Sequence, residues 1–74
     1  MTKVIGETPF QVLANAVCIS PSNEGYTLNY SADGITYTAW DEATPAGENL
    51  TVTGIAKGTY FKLVGNNTEV TICW

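Results

Sequence analysis

The chain contains no histidine and no arginine, and its only basic side chains are three lysines, Lys3, Lys57 and Lys62. Without histidine there is no side chain that ordinarily trades a proton near neutral pH, so Ser–His and Cys–His nucleophile pairs are excluded. Without arginine there is no planar fork to clamp a phosphate or an oxyanion. Clustered positive charge is missing too, and the net charge is -4. Binding to nucleic acid by phosphate neutralisation and binding to an anionic membrane both need that cluster, so neither partner is expected. No apolar run approaches the ~18 residues of a spanning helix. The opening stretch, Met1-Thr2-Lys3-Val4-Ile5-Gly6-Glu7, lacks the apolar segment of a secretory signal, which predicts cytosolic synthesis without that export route.

Carboxylates are the remaining catalytic material. Asp33, Asp41, Glu42 and Glu48 are available for paired acid–base work on a glycoside. Asp33 is already explained by a turn, however, and a chain of 74 residues offers little room for a cleft. Calcium at Asp41-Glu42 lacks the ligand spacing of an EF-hand loop. The sequence therefore predicts no enzyme, no metal and no cofactor.

What is present is β-sheet material. Asp33-Gly34 sits between two alternating segments, Tyr26-Thr27-Leu28-Asn29-Tyr30 and Ile35-Thr36-Tyr37-Thr38-Ala39-Trp40, the strongest short-range signal for a hairpin. A two-residue loop there pairs Tyr30 with Tyr37 and Leu28 with Ala39. Tyr26, Leu28, Tyr30, Ile35, Tyr37 and Ala39 then share an apolar face, and Thr27, Asn29, Ser31, Thr36, Thr38 and Trp40 share a polar one. Further strands are expected at Phe10 to Ile19, Leu50 to Thr53, Thr59 to Val64 and Glu69 to Trp74. Turns are expected at Ser20 to Gly25, Ala56 to Gly58 and Gly65 to Asn67, and a loop from Asp41 to Asn49. Residues 1–9 read as an extended N-terminal arm or an edge strand, and residues 10–74 as one domain. The whole predicts an all-β, small antiparallel sandwich, immunoglobulin-like, of about six strands and with no helix required. Phe61, Leu63, Val70 and Ile72 are its candidate core, with Trp74 at the core edge.

A domain this short hides only about 60% of the surface its unfolded chain exposes, so it leans on neighbours or on a cross-link. Cys18 and Cys73 could close a long loop, while cytosolic synthesis favours free thiols; the sequence leaves the pairing open. Charged residues are only 14% of the chain, against about 25% in ordinary soluble domains, and Thr, Asn, Ser and Gly supply the polarity instead. Uncharged hydroxyls and amides lose water at small cost where a partner returns the hydrogen bonds, which points to contacts with other proteins. The outward Trp40 is the first candidate anchor and Tyr60 the second, with Thr36, Thr38 and Asn29 around Trp40 and Val4 and Ile5 in the arm. A sugar-stacking platform built from the tyrosines and Trp40 is the competing use of the same rings.

The stretch Tyr26 to Trp40 resembles the S-x-D-G-x-x-Y/W hairpin of many phage tail, fibre and capsid-decoration modules and of bacterial surface β-sandwiches. Gly58-Thr59-Tyr60-Phe61-Lys62-Leu63-Val64-Gly65-Asn66 is similar to the closing hairpin of such modules in phages of gut Bacteroidetes. The wider pattern is similar to an auxiliary head protein of crAss-like phages. That resemblance implies a decoration protein on the outer capsid surface, bound to the major capsid protein or other virion proteins, with self-association open. A virion component also reconciles cytosolic synthesis with the composition of a surface module. The alternative is a carbohydrate- or host-surface-binding module of a phage fibre or bacterial surface protein. The Gly-x-Thr-Trp ending of sialidase Asp-boxes is absent, so no glycosidase residues are carried over.

Overall fold

Alternating β-branched or aromatic and hydroxyl side chains suit a pleated surface with one dry face. The computed structural model describes residues 2–20, 25–45 and 47–74, with the backbone alone at 41–44. Among the described residues there is no helix and there are eight strands: β1 (Thr2–Ile5), β2 (Phe10–Val12), β3 (Ala16–Ile19), β4 (Tyr26–Ser31), β5 (Thr38–Thr44), β6 (Leu50–Thr53), β7 (Thr59–Val64) and β8 (Glu69–Cys73). They form two four-stranded sheets, sheet I in the order β1-β8-β3-β6 and sheet II in the order β2-β7-β4-β5. All neighbours run antiparallel.

The order has a simple origin. β1 pairs β8, β2 pairs β7, β3 pairs β6 and β4 pairs β5. The chain is thus one long two-stranded ribbon, turned back on itself between β4 and β5, whose successive strand pairs alternate between the two sheets. That is the order of a double-sheet jelly roll. The links between strand pairs are tied across the ribbon. Gly6 donates its N–H to the Thr68 carbonyl at 2.9 Å, and the wholly buried Asn66 donates its amide to the carbonyls of Gly6 at 3.2 Å and Thr68 at 2.8 Å. One step along, the Asn15 amide donates to the Ile55 carbonyl at 2.9 Å and Gly58 donates its N–H to the Val12 carbonyl at 2.7 Å.

The core lies between the sheets. Val4, Val17, Ile19, Val52, Val70 and Ile72 face inward from sheet I, and Val12, Tyr26, Leu28, Phe61 and Leu63 from sheet II. Each such side chain contributes roughly 1.5–3 kcal/mol by leaving water. Phe10 stacks on Phe61 at 5.9 Å between ring centroids and packs, partly buried, against the core.

The antiparallel sandwich matches the sequence reading, and Phe61, Leu63, Val70 and Ile72 are core as expected. The strand number and the connections differ. Residues 2–5 are a paired edge strand, and Val4 is core, opposite Val70, not an external contact. The run from Phe10 to Ile19 breaks at Leu13-Ala14-Asn15 because the chain crosses there from sheet II to sheet I. Gly65-Asn66-Asn67 does not turn a hairpin: buried Asn66 carries the chain from β7 in sheet II to β8 in sheet I. An immunoglobulin arrangement sets its first strand beside its second, whereas here β1 lies beside β8. The first half of the expected Asp41–Asn49 loop is strand, held by pairing of Thr44 with Tyr26 and Ala43 with Thr27. The expected turn at Pro21 to Glu24 lies outside the described residues.

Phe61→Ala should remove about 3–5 kcal/mol, comparable to the entire stability of a domain this small. Urea titration followed by circular dichroism should find the variant largely unfolded in buffer. Ile35→Ser, at a side chain 83% exposed, should shift the midpoint by no more than about 0.5 kcal/mol equivalent.

Candidate functional site

The ribbon tip determines which surfaces remain free. Ser31 ends β4, 2% exposed. Its hydroxyl donates to Asp33 Oδ1 at 2.8 Å and accepts the N–H groups of Asp33 at 3.2 Å and Gly34 at 2.9 Å. Asp33 Oδ1 in turn accepts the N–H groups of Ile35 at 2.8 Å and Thr36 at 3.1 Å. The Ile35 N–H, the Ser31 hydroxyl and the Thr36 N–H stabilise the charged carboxylate and lower its pKa from 3.8 to about 2. These bonds make a loop from Ala32 to Tyr37 in place of a two-residue turn. Such a turn needs positive φ at both central residues, and Gly34 has it at 77° while Asp33 does not.

The longer loop moves the register by one residue. Tyr30 faces Thr38, not Tyr37, and Asn29 faces Ala39. A one-residue slip turns every following side chain to the opposite face. Trp40, expected outside among hydroxyls, is half-buried against the core and meets Tyr30 edge-on at 5.2 Å. Ala39 moves outward in exchange, and Ile35 and Tyr37 leave the sheet for the loop.

The loop also folds over the outer face of sheet II. Gly34 lies on the Tyr60 ring, where an added Cβ would come within 3.4 Å of three ring carbons. The Lys62 ammonium sits 4.5 Å from the centre of the Tyr37 ring, a cation–π contact. Tyr60, the second expected anchor, is therefore occupied within the chain. Thr36 and Thr38 are exposed, Asn29 is half-buried, and Ile5 is 66% exposed at the edge strand. These residues do not form one patch: Ile5 belongs to sheet I, whereas Asn29 and Thr38 belong to sheet II.

A second surface is the outer face of sheet I. At one end the exposed pair Lys3–Glu69, 3.4 Å apart, contributes little. At the other end an open depression of about 430 Å³ is lined by Ala14, Ala16, Cys18, Thr51, Cys73 and Trp74, and its wall is almost wholly apolar. Trp74 is 48% exposed, and Leu13, next to Ala14 in the chain, is 59% exposed. Trp74 is thus a rim residue of this depression, beyond the core edge expected for it. Sequence reasoning missed the site because its members come from β3, β6, β8 and the β2–β3 link, which only the ribbon order brings together. The unabsorbed signal was the pair of cysteines beside a tryptophan.

The depression offers apolar contact. The Asp33 carboxylate is engaged by its own loop. The side chains of Asp41 and Glu42, weighed above as calcium ligands, lie outside the described residues. Among the described residues no three acidic, cysteine or histidine side chains gather as a metal site. Comparison with known proteins finds no family model that matches the chain, no curated protein that matches its sequence and no solved structure that matches its fold.

The lowered pKa of Asp33 fixes a sign. A carboxylate whose folded pKa lies below its unfolded value adds stability above about pH 4, and that contribution disappears as the pH falls towards about 2. Asp33→Asn should therefore melt below the unmodified chain at neutral pH, with the gap closing across that window. Melting temperatures recorded against pH check this, and a gap unchanged between neutral pH and pH 2 would contradict it.

Proposed function

We propose that the chain is a structural virion protein, an auxiliary module that decorates the outer surface of a phage head by binding the major capsid protein or its neighbours. The observation that carries the reading is the uncharged end of the outer face of sheet I, where an apolar depression lies beside exposed Trp74 and Leu13. Burying such a surface gains apolar contact and sacrifices no ion hydration. Trp is the preferred anchor of protein interfaces, and the surrounding threonines on β6 can exchange water for partner hydrogen bonds. The jelly-roll order occurs in viral capsid and lectin domains, an analogy of fold alone. Repetition of the contact over a symmetric shell would make weak single sites add to firm attachment.

The alternative, a carbohydrate- or host-surface-binding module, calls for a row of exposed aromatic rings. Tyr30 with Trp40, Tyr37 with Lys62 and Tyr60 with Gly34 are instead engaged within the chain. Trp74 is the one exposed ring among the described residues, and the wall beside it offers a sugar few hydrogen bonds.

Density-gradient sedimentation with assembled particles, read by mass spectrometry, should recover the protein at particle density in fixed proportion to the major capsid protein. Trp74→Ser should lower occupancy about tenfold or more at limiting concentration, as for a central interface anchor, with an unchanged melting temperature. Absence of the unmodified chain from particles would overturn the reading.

A further inference from the structure

Cys18 and Cys73 are opposite each other on adjacent antiparallel strands, β3 and β8, and both are exposed free thiols. Ser20 donates its N–H to the Thr71 carbonyl at 2.8 Å, which fixes the phase of this ladder. Two residues away, Cys18 and Cys73 form a pair of the same hydrogen-bonded kind, whose Cα atoms stand about 5.5 Å apart. That spacing lies within the range that a disulfide bridges.

The pair sits at a weak point of the fold. Among the described residues the β3–β8 ladder joins the two halves of sheet I through two residue pairs, Cys18 with Cys73 and Ile19 with Ile72, extended by the Ser20–Thr71 hydrogen bond. The corresponding seam of sheet II, between β4 and β7, has five, from Thr27 with Val64 to Ser31 with Tyr60. The two cysteines lie at the end of the short seam, where β8 finishes.

We propose that Cys18 and Cys73 form a modification site, a cross-strand dithiol that closes to an intramolecular disulfide by exchange with a small-molecule disulfide such as oxidised glutathione. One protein thiolate attacks a glutathione sulfur, which releases one glutathione thiolate and leaves a mixed disulfide. The other protein thiolate attacks the protein-bound sulfur, forms the Cys18–Cys73 bond and expels the second glutathione. Two protein thiols are oxidised, one glutathione disulfide is reduced to two thiols, and no other electron carrier is needed. The Thr51 hydroxyl, 4.0 Å from Cys18 Sγ, donates towards that sulfur from the third strand of the row. Opposite residues of the hydrogen-bonded kind hold their Cβ atoms somewhat farther apart than a relaxed disulfide, so the bond draws the end of β8 towards β3. An exposed and slightly strained bridge of this kind is readily reduced again. The chain would be made with free thiols in a reducing compartment and stapled after it leaves one.

The test uses the full chain, reduced and then incubated with oxidised glutathione. Mass spectrometry should show a monomer that has lost two hydrogens and no longer reacts with iodoacetamide. Its melting temperature should rise by about 10 °C, and dithiothreitol should reverse the rise. Cys18→Ser and Cys73→Ser should each stop at a stable glutathione adduct with no such rise. Persistent adducts on both cysteines of the unmodified chain, covalent dimers, or a closed bridge without stabilisation would overturn the proposal.

Discussion

Two side-chain oxygens, the Ser31 hydroxyl and Asp33 Oδ1, hold the turn at which the ribbon reverses. Between them they accept four backbone N–H groups, from Asp33, Gly34, Ile35 and Thr36. No strand pairing reaches those donors in a loop too long for a tight turn. The consequence travels along both strands. Loop length sets the pairing of Tyr30 with Thr38, that pairing turns Trp40 inward against Tyr30, and the loop itself comes to lie on Tyr60. One small constellation at the tip thereby places the loop over Tyr60 on the outer face of sheet II.

The remaining architecture can be understood as the ribbon closing around a thin core. Each strand pair buries one apolar row, and alternate pairs face each other across the sandwich. Side-chain amides act where the links cross between sheets: Asn66 and Asn15 satisfy carbonyls that no strand can reach. This uses few charges, and hydroxyls and amides supply most of the polarity. A surface poor in charge on a small domain is consistent with the proposed attachment, in which contact with a larger body would add to the burial within 74 residues. The short β3–β8 seam lies on that same face, so adhesion and stapling would both act on sheet I.

Strand material and core were legible in the sequence because they depend on local alternation. Leu28, Phe61, Leu63, Val70 and Ile72 each sit at alternating positions in a β-branched or aromatic run, and each is buried. The Asp33-Gly34 reversal was legible as well, because turn chemistry is local. The register was not, because Asp-Gly suits a two-residue turn and also a longer loop held by side-chain oxygens; the deciding partner, Ser31, reads equally well as an ordinary outward hydroxyl. The break at Leu13-Ala14-Asn15 carries no Gly or Pro, and Asp41-Glu42 in β5 looks like loop by composition. The sheet order is a property of pairings between distant segments, and so is the depression beside Trp74. The expected place of Trp40 on the outer face depends on the two-residue register and fails with it, whereas Tyr60 faces outward as expected and is met there by Gly34.

The most direct measurement is the set of cross-strand nuclear Overhauser effects between β4 and β5 in the isotopically labelled chain. Contacts of Tyr30 with Thr38 and of Asn29 with Ala39, together with contacts between the Tyr30 and Trp40 rings, are the predicted result. Contacts of Tyr30 with Tyr37 and of Leu28 with Ala39 would contradict it and return Trp40 to the outer face, moving the proposed docking surface from sheet I to sheet II.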